Sequence, residues 1–337
     1  MLSIQVPTLK TGFTFRPGTL EDAPAVVEIM RACDIAVVGT ADASLQDLLN
    51  DWRMPGMNLE NDTRVIAAPD GRLVGYVIVQ DVIRPVNPEL DAYVHPDFWE
   101  DTVGVVLMQW VEDRTRQAIP KAPADARVAM QAFTYNQDKY YKSLLEQAGM
   151  QVARHFFHMA IELDQPLMRP EWPERISLRL FQAGEDKRPV LEAQRDSFQD
   201  HWGHVEQPFD EQYARWTQFW DENFNPSLWF LAMDGDKIAG ICLCRGYRGE
   251  DEMMGWVNTL GVTRPYRRLG VGRALLLHAF HEMKSRGKTR VGLGVDASSL
   301  TGATRLYEKA GMHVAEVIDL YEKELRPGVV YGTQSVE

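Results

Sequence analysis

The chain has 337 residues, 45% of them hydrophobic and 25% charged, enough material for about two domains with cores of their own. A formal net charge of −12, from 36 basic and 48 acidic residues, repels phosphate backbones, so no nucleic-acid partner is expected. No run approaches the ~18 apolar residues of a membrane span. Met1 to Gly12 has no apolar signal-like core, and three cysteines (Cys33, Cys242, Cys244) cannot build a disulfide framework. The expectation is a reduced, cytoplasmic protein with no membrane contact.

In chain order, Phe13 to Asp22 alternates like a short strand and runs into an acidic helix start. Arg64 to Val79 holds two apolar runs joined by Asp70 and Gly71, a hairpin signal. Leu144 to Met150 closes a helix at Gly149. Each segment then recurs in the same order: Ile176 to Asp186, Leu228 to Leu243 around Asp234 and Gly235, and Leu306 to Met312. The chain reads as a tandem duplication. Its boundary lies at Asp164 to Pro173, where Pro166, Pro170 and Pro173 remove amide donors. The expected domains are 1–165 and 174–337.

The second half predicts a strand near Ile176–Phe181, a helix near Asp186–Phe198 and a looser aromatic-rich helical region through Trp220. Hairpin strands follow at Leu228–Met233 and Lys237–Arg245, then a strand at Met254–Val262, a helix at Gly270–Arg286 and a strand at Thr289–Val295. A short helix at Gly302–Ala310 and a strand near Val314–Glu324 complete it. A hairpin first and strand-helix-strand units later indicate an α+β, sandwich-like fold. Each of two tandem domains would hold a mixed, partly parallel twisted sheet flanked by helices.

Chemistry concentrates between Leu260 and Leu275. A strand feeds a glycine-rich turn that opens a helix, and unpaired amides at a helix N-terminus attract anions. Gly270 and Gly272 permit close backbone approach, while Arg267, Arg268 and Arg273 crowd positive charge into an acidic chain. The segment reads as a pyrophosphate cradle. It is not a P-loop, for no Lys-Ser/Thr pair follows the glycines. A dinucleotide fingerprint is weakened by Leu275 and kept open by Asp296, some twenty residues on.

Arg267 to Ala274 resembles the [RQ]-x-x-G-x-[GA] acyl-CoA motif of the GNAT N-acetyltransferase superfamily, and Thr301 to Met312 resembles its late helix. The likeness is specific over 176–325 and looser over 13–163, which makes the chain similar to tandem two-domain members of the mycothiol-synthase type. The resemblance implies acetyl-CoA as cosubstrate, no metal, and a primary amine of a small molecule or peptide as acceptor. It implies that Arg267, Arg268, Leu269, Gly270, Val271, Gly272 and Arg273 surround the pyrophosphate and that the backbone of Leu260, Gly261 and Val262 pairs with the pantetheine arm. Tyr307 would give a proton to the leaving thiolate. Ser299 stands where relatives carry an Asn. No cysteine is placed for a covalent step, since Cys242 and Cys244 read as core.

For the base, Glu252 is the first candidate, with Asp251 beside it at the strand entrance; His201 and His204 lie on the loop after the first helix. By alternation Trp256, Asn258 and Leu260 should share a face. Met253, Met254, Trp202, Tyr213, Trp216, Phe219 and Trp220 are candidates to line the acceptor site or the core. His278 and His281, three apart on a helix, have no third ligand in sight. In the first half the leading Arg becomes Trp99 and the first Gly becomes Thr102, Glu100 and Asp101 oppose an anion, and the tyrosine position is Leu145, with Tyr140 and Tyr141 a turn earlier. That half is expected to keep the fold without the cofactor. The remaining readings are an acyl-CoA sensor without turnover and a mycothiol-synthase-type acceptor; the assembly would be a monomer or homodimer.

Overall fold

The computed structural model describes residues 8–83, 85–218, 225–299 and 301–333. The fold is α+β, with mixed, partly parallel sheet flanked by helices. The chain forms two compact units. Unit 1 comprises Met1–His155 and Ile318–Tyr331; unit 2 comprises Phe156–Val317 and Gly332–Glu337.

Unit 1 begins with β1 (Thr14–Arg16) and the helices α1 (Ala23–Val38), α2 (Leu45–Trp52) and α3 (Leu59–Asp62). Gly39 ends α1 with φ +81, a conformation that costs glycine nothing. Strands β2 (Thr63–Ala67), β3 (Leu73–Gln80) and β4 (Glu89–Val94) pair antiparallel, the first two around the Asp70–Gly71 turn. After them come α4 (Val103–Thr115), β5 (Val128–Tyr135), α5 (Lys139–Gln147) and the long β6 (Gln151–Glu162). Val103, Leu107 and Val111 of α4 pack on Val77, Leu90 and Met130 of the sheet. Arg114 is the polar fixture of this unit: nearly fully buried, it holds Asp62 at 2.6 Å and Asp81 at 2.9 Å.

Unit 2 repeats the plan with β7 (Ser177–Leu180), α6 (Lys187–Phe198), α7 (Phe209–Gln218), β8 (Trp229–Asp234), β9 (Lys237–Arg245) and β10 (Met254–Val262). It continues through α8 (Val271–Ser285), β11 (Arg290–Asp296), α9 (Ala303–Lys309) and β12 (His313–Arg326). Leu275, Leu276, Phe280 and Met283 of α8 are buried against one face of the sheet; Val190 and Ala193 of α6 cover the other over β8 and β9. Arg179 and Asp186 fix the β7–α6 corner as Arg16 and Asp22 fix the β1–α1 corner.

The last strands are exchanged. The Ile318–Arg326 part of β12 pairs antiparallel with β5 in unit 1, and the Phe156–Glu162 part of β6 pairs antiparallel with β11 in unit 2. Each sheet is thus completed by a strand from the other half of the sequence. The proline-rich stretch 164–173 carries neither helix nor strand. Among the described residues no helix is long and apolar enough to cross a membrane.

Candidate functional site

The site is built where β10 leaves β11. The parallel register runs from Met254 opposite Arg290 to Val257 opposite Leu293 and stops there, although both strands continue, to Val262 and Asp296. On its other edge β10 keeps pairing with β9, with a bulge: Val257 faces Cys244 and Thr259 faces Leu243, leaving Asn258 extra. Beyond the bulge the β11-side edge of β10 is open, the geometry an extended ligand uses when it adds as a strand.

The bulge also corrects the expected alternation. Val257 and Leu260, three apart, both pack into the α8-side core, which a regular strand forbids. Leu260 therefore faces away from Trp256, whose ring lies over Gly292 on the other face and meets His158 edge-on at 5.3 Å. Asn258 is exposed.

At the C-terminal end of β10 a 3₁₀ turn, Arg264–Tyr266, leads to the glycine-rich loop. Arg268 has φ +66, the only positive φ of a non-glycine residue among the described residues, and Gly270 has φ +92. Gly270 is the N-cap of α8 and has no side chain to cap the amides of Val271, Gly272 and Arg273. A Cβ on Gly272 would sit 3.1 Å from Val262 and 3.5 Å from Leu306, so glycine lets α8 close on the strand end and on α9. Leu269 is exposed, at 57%, and Val271 is buried. The arginines divide their work. Arg267 and Arg264 grip Asp200 at 2.5 and 2.6 Å, tying the loop to the end of α6. Arg273 lies against Met168, and Arg268 is exposed.

The sequence points to the histidines of this loop, whereas Asp200 beside them is the residue that fixes it. Its bonds to Arg264 and Arg267 hold its carboxyl below the usual range, against a small opposing effect of burial. His201 sits close by: desolvation pulls its imidazole below the ordinary value, Asp296 opposes this, and Arg267 lowers it further. The loop is secured by Gly203 and His204, which exchange backbone hydrogen bonds with Thr333.

Tyr307, on α9, is 8% exposed and packs in the α8 core with Cys242. Burial, then Cys242, pushes its phenol up to about 12, so the proton stays on at neutral pH. Ser299 is engaged in its own loop, with its hydroxyl 3.1 Å from Thr301 and 3.4 Å from the Ala303 amide. Cys242 and Cys244 are buried free thiols 3.5 Å apart on β9.

Glu252 is not brought to this gap. It precedes β10, and six residues of strand, about 20 Å, separate it from Asn258. Its carbonyl accepts from Lys288, and Asp251 is paired with Arg290 at 2.6 Å. Met253 is exposed beside them and Met254 is buried. Trp216 stacks on Trp229 at 5.9 Å and Tyr213 on Phe209 at 6.0 Å, away from the gap on the α6–α7 layer; Phe219 and Trp220 lie outside the described residues. His278 packs against Phe230, and His281 bonds the Met168 carbonyl. A cluster that sequence reading missed stands on the Trp256 face: His158 lies 2.8 Å from Glu316, and Arg248 reaches Glu316 at 2.9 Å while stacking on Trp256. Its members come from four strands and loops, and no motif joins them.

Residues 188–312 match the Acetyltransferase (GNAT) family. A solved GCN5-related N-acetyltransferase from Sphaerobacter thermophilus is 38% identical, superposes with a TM-score of 0.78, and is matched over 96% of this chain and 98% of its own. A mycothiol acetyltransferase of Nocardiopsis dassonvillei is 29% identical over 276 residues, 76% of this chain and 80% of the relative. A tandem GNAT protein from the clavulanic acid biosynthesis pathway shares the fold, with a TM-score of 0.70 at 14% identity, over 94% of this chain and all of its own.

Proposed function

This chain belongs to the GCN5-related N-acetyltransferase family, and from that premise we propose that it moves an acetyl group from acetyl-CoA directly to a primary amine, at the β10–β11 gap of unit 2. The observation that carries this reading is the parting of the two strands after Val257, with an uncapped helix N-terminus at the end of the open edge. An extended arm ending in a pyrophosphate needs both in that order. Acetyl-CoA, when bound, supplies an activated thioester.

The chain's own residues then divide the remaining tasks. Leu260, Gly261 and Val262 offer backbone to the pantetheine arm, and the amides from Arg268 to Arg273 hold the pyrophosphate. Arg268 and Arg273 add charge; Arg267 acts through Asp200, as a positioning residue. Tyr307, still protonated at neutral pH, delivers its proton to the departing thiolate, a contribution on the order of 10²-fold. Of the groups considered as base, His201 is the one beside Asp296 at the gap, and its lowered pKa keeps it ready to accept the ammonium proton near neutrality. The acceptor is a small-molecule or peptide amine approaching over the Trp256 face. The free thiols Cys33, Cys242 and Cys244 support a cytoplasmic setting.

Calorimetric titration with acetyl-CoA tests the reading. One site per chain is expected, abolished by Gly272→Trp in a folded variant. Tyr307→Phe should lower kcat about 100-fold and leave the acetyl-CoA Kd within about twofold. The first acceptor to assay is the cysteinyl-glucosaminyl-inositol amine, because relatives are named mycothiol acetyltransferases, followed by a broad amine panel. Binding without turnover on any amine would replace the transferase reading with that of an acyl-CoA sensor; no binding would remove both.

A further inference from the structure

The His158 cluster on the Trp256 face of unit 2 stands beside the gap. Phe157 and Met159 pack into the α8-side core, so His158 between them is on the opposite face of β6. Its partner across the ladder is Gly294, the first residue of β11 after the parting from β10. Gly294 is exposed, and a Cβ built there would meet a single atom within 4 Å, His158 Cδ2 at 3.8 Å. That carbon is bonded to Nε2. The Nε2 side of the ring is therefore turned towards an opening at the edge of the gap, and 24% of the side chain is exposed.

The other ring nitrogen is tied down. Nδ1 lies 2.8 Å from Glu316 Oε2 on β12, and Arg248 Nη2 is 2.9 Å from the same oxygen and 3.1 Å from Nδ1. Two N–H groups converge on one carboxylate oxygen, which makes Nδ1 the donor and Nε2 the basic nitrogen. Burial works against the Glu316 charge, but its bonds to His158 and Arg248 bring its pKa below the ordinary value. It is an anion near neutrality and can balance an imidazolium beside it. Trp256 holds the ring edge-on at 5.3 Å and is itself covered by the Arg248 guanidinium. From β11, the next titratable side chain on this face is Asp296, two residues beyond Gly294.

On the acetyl-transfer reading above, a primary ammonium gives up two protons, one before attack and one after. His201 takes the first. The second is carried by the nitrogen once it has bonded to the thioester carbon, and it needs an acceptor of its own. We propose that His158 takes this second proton on Nε2, with Glu316 as the positioning residue that holds the ring. As the C–N bond is completed the C–S bond breaks, and Tyr307 gives its proton to the thiolate. Of the two protons shed by the amine, one returns through solvent to Tyr307 and one is released. The base thus comes from a strand that the first half of the sequence lends to unit 2.

Steady-state rates and acetyl-CoA titration of the full chain test this, with the cysteinyl-glucosaminyl-inositol amine and glucosamine as acceptor probes. His158→Gln should lower kcat about 100-fold near neutrality and leave the acetyl-CoA Kd within about twofold. It should also remove one ionisation from the acid limb of the kcat profile. Glu316→Gln should lower kcat about tenfold and move that limb to lower pH, because the imidazolium loses its counter-charge. A purely structural role would leave the limb where it is in both variants. A His158→Gln kcat within about threefold of the parent overturns the proposal. So does a larger loss with the parent's acid limb unchanged. A parent that binds acetyl-CoA but acetylates no amine, on these probes or a broad panel, overturns the transferase reading itself and this step with it.

Discussion

The two units make the same turn and use it in opposite ways. In each, a strand runs through a 3₁₀ turn into a helix: β4 through Pro96–Phe98 into α4, and β10 through Arg264–Tyr266 into α8. In unit 2 the loop passes through two positive-φ residues and ends on a glycine cap. In unit 1 the cap is Thr102, with φ −77. There Trp99 stacks on Tyr140 at 4.9 Å, and the Tyr140 hydroxyl lies 2.5 Å from where a Cβ on Gly104 would stand. Asp101 is paired with Lys10, and Thr102 donates to the Thr8 carbonyl. Side chains thus occupy in unit 1 the space that unit 2 leaves lined with amides. The strands differ in the same sense, for β10 has a bulge against β9 whereas β4 keeps regular register with β3 through Gln80. A duplicated fold keeps its core under such changes because the core rests on the apolar periodicity of α4 and α8, which both units retain.

This contrast can be broken or sharpened in five ways. Arg114→Met should cost unit 1 about 3–5 kcal/mol by leaving Asp62 and Asp81 buried without their cation, read as a fall in the calorimetric midpoint. The same network sets an acid limit. Burial raises the Asp81 pKa, but its bonds to Arg114 and Lys121 bring it below the ordinary value, so its stabilisation is present above about pH 4 and is lost as pH falls through the folded pKa. Trp99→Ala should cost about 2 kcal/mol through the lost stack, while acetyl-CoA stoichiometry stays at one per chain. A second site appearing in that variant would mean that the aromatic plug alone separates the units.

Gly270→Thr copies the first unit's cap into the second. With φ +92 at that position, a strain of about 1–2 kcal/mol should fall on the loop and raise the acetyl-CoA Kd about tenfold. An unchanged Kd would show that the loop's positive φ is not what the ligand reads. Asp200→Asn is the mildest change, weakening the tie between α6 and the arginines and raising the Kd by roughly threefold, more at low salt than at high.

Much of this was legible in the residues. The Asp-Gly hairpins, the duplicated order and the helix starting at Gly270 follow from local rules: turn chemistry, periodicity and glycine's freedom at positive φ. The strand from Met254 to Val262 was read with its observed bounds, but its bulge was not, because one inserted residue leaves no compositional trace and reverses the face of everything after it. Glu252 was judged near the site from its place at a strand entrance, and only the direction of β10 shows that it stands at the far end.

What the sequence determined by itself is therefore the inventory of elements, their doubling, and the anion-seeking turn of the second half. Those are properties of neighbours in the chain. The tertiary structure alone decided which strand completes which sheet, where β10 and β11 part, and that Asp200 rather than a histidine secures the arginines. Those outcomes depend on contacts between residues far apart in sequence, which packing sets and no local pattern encodes.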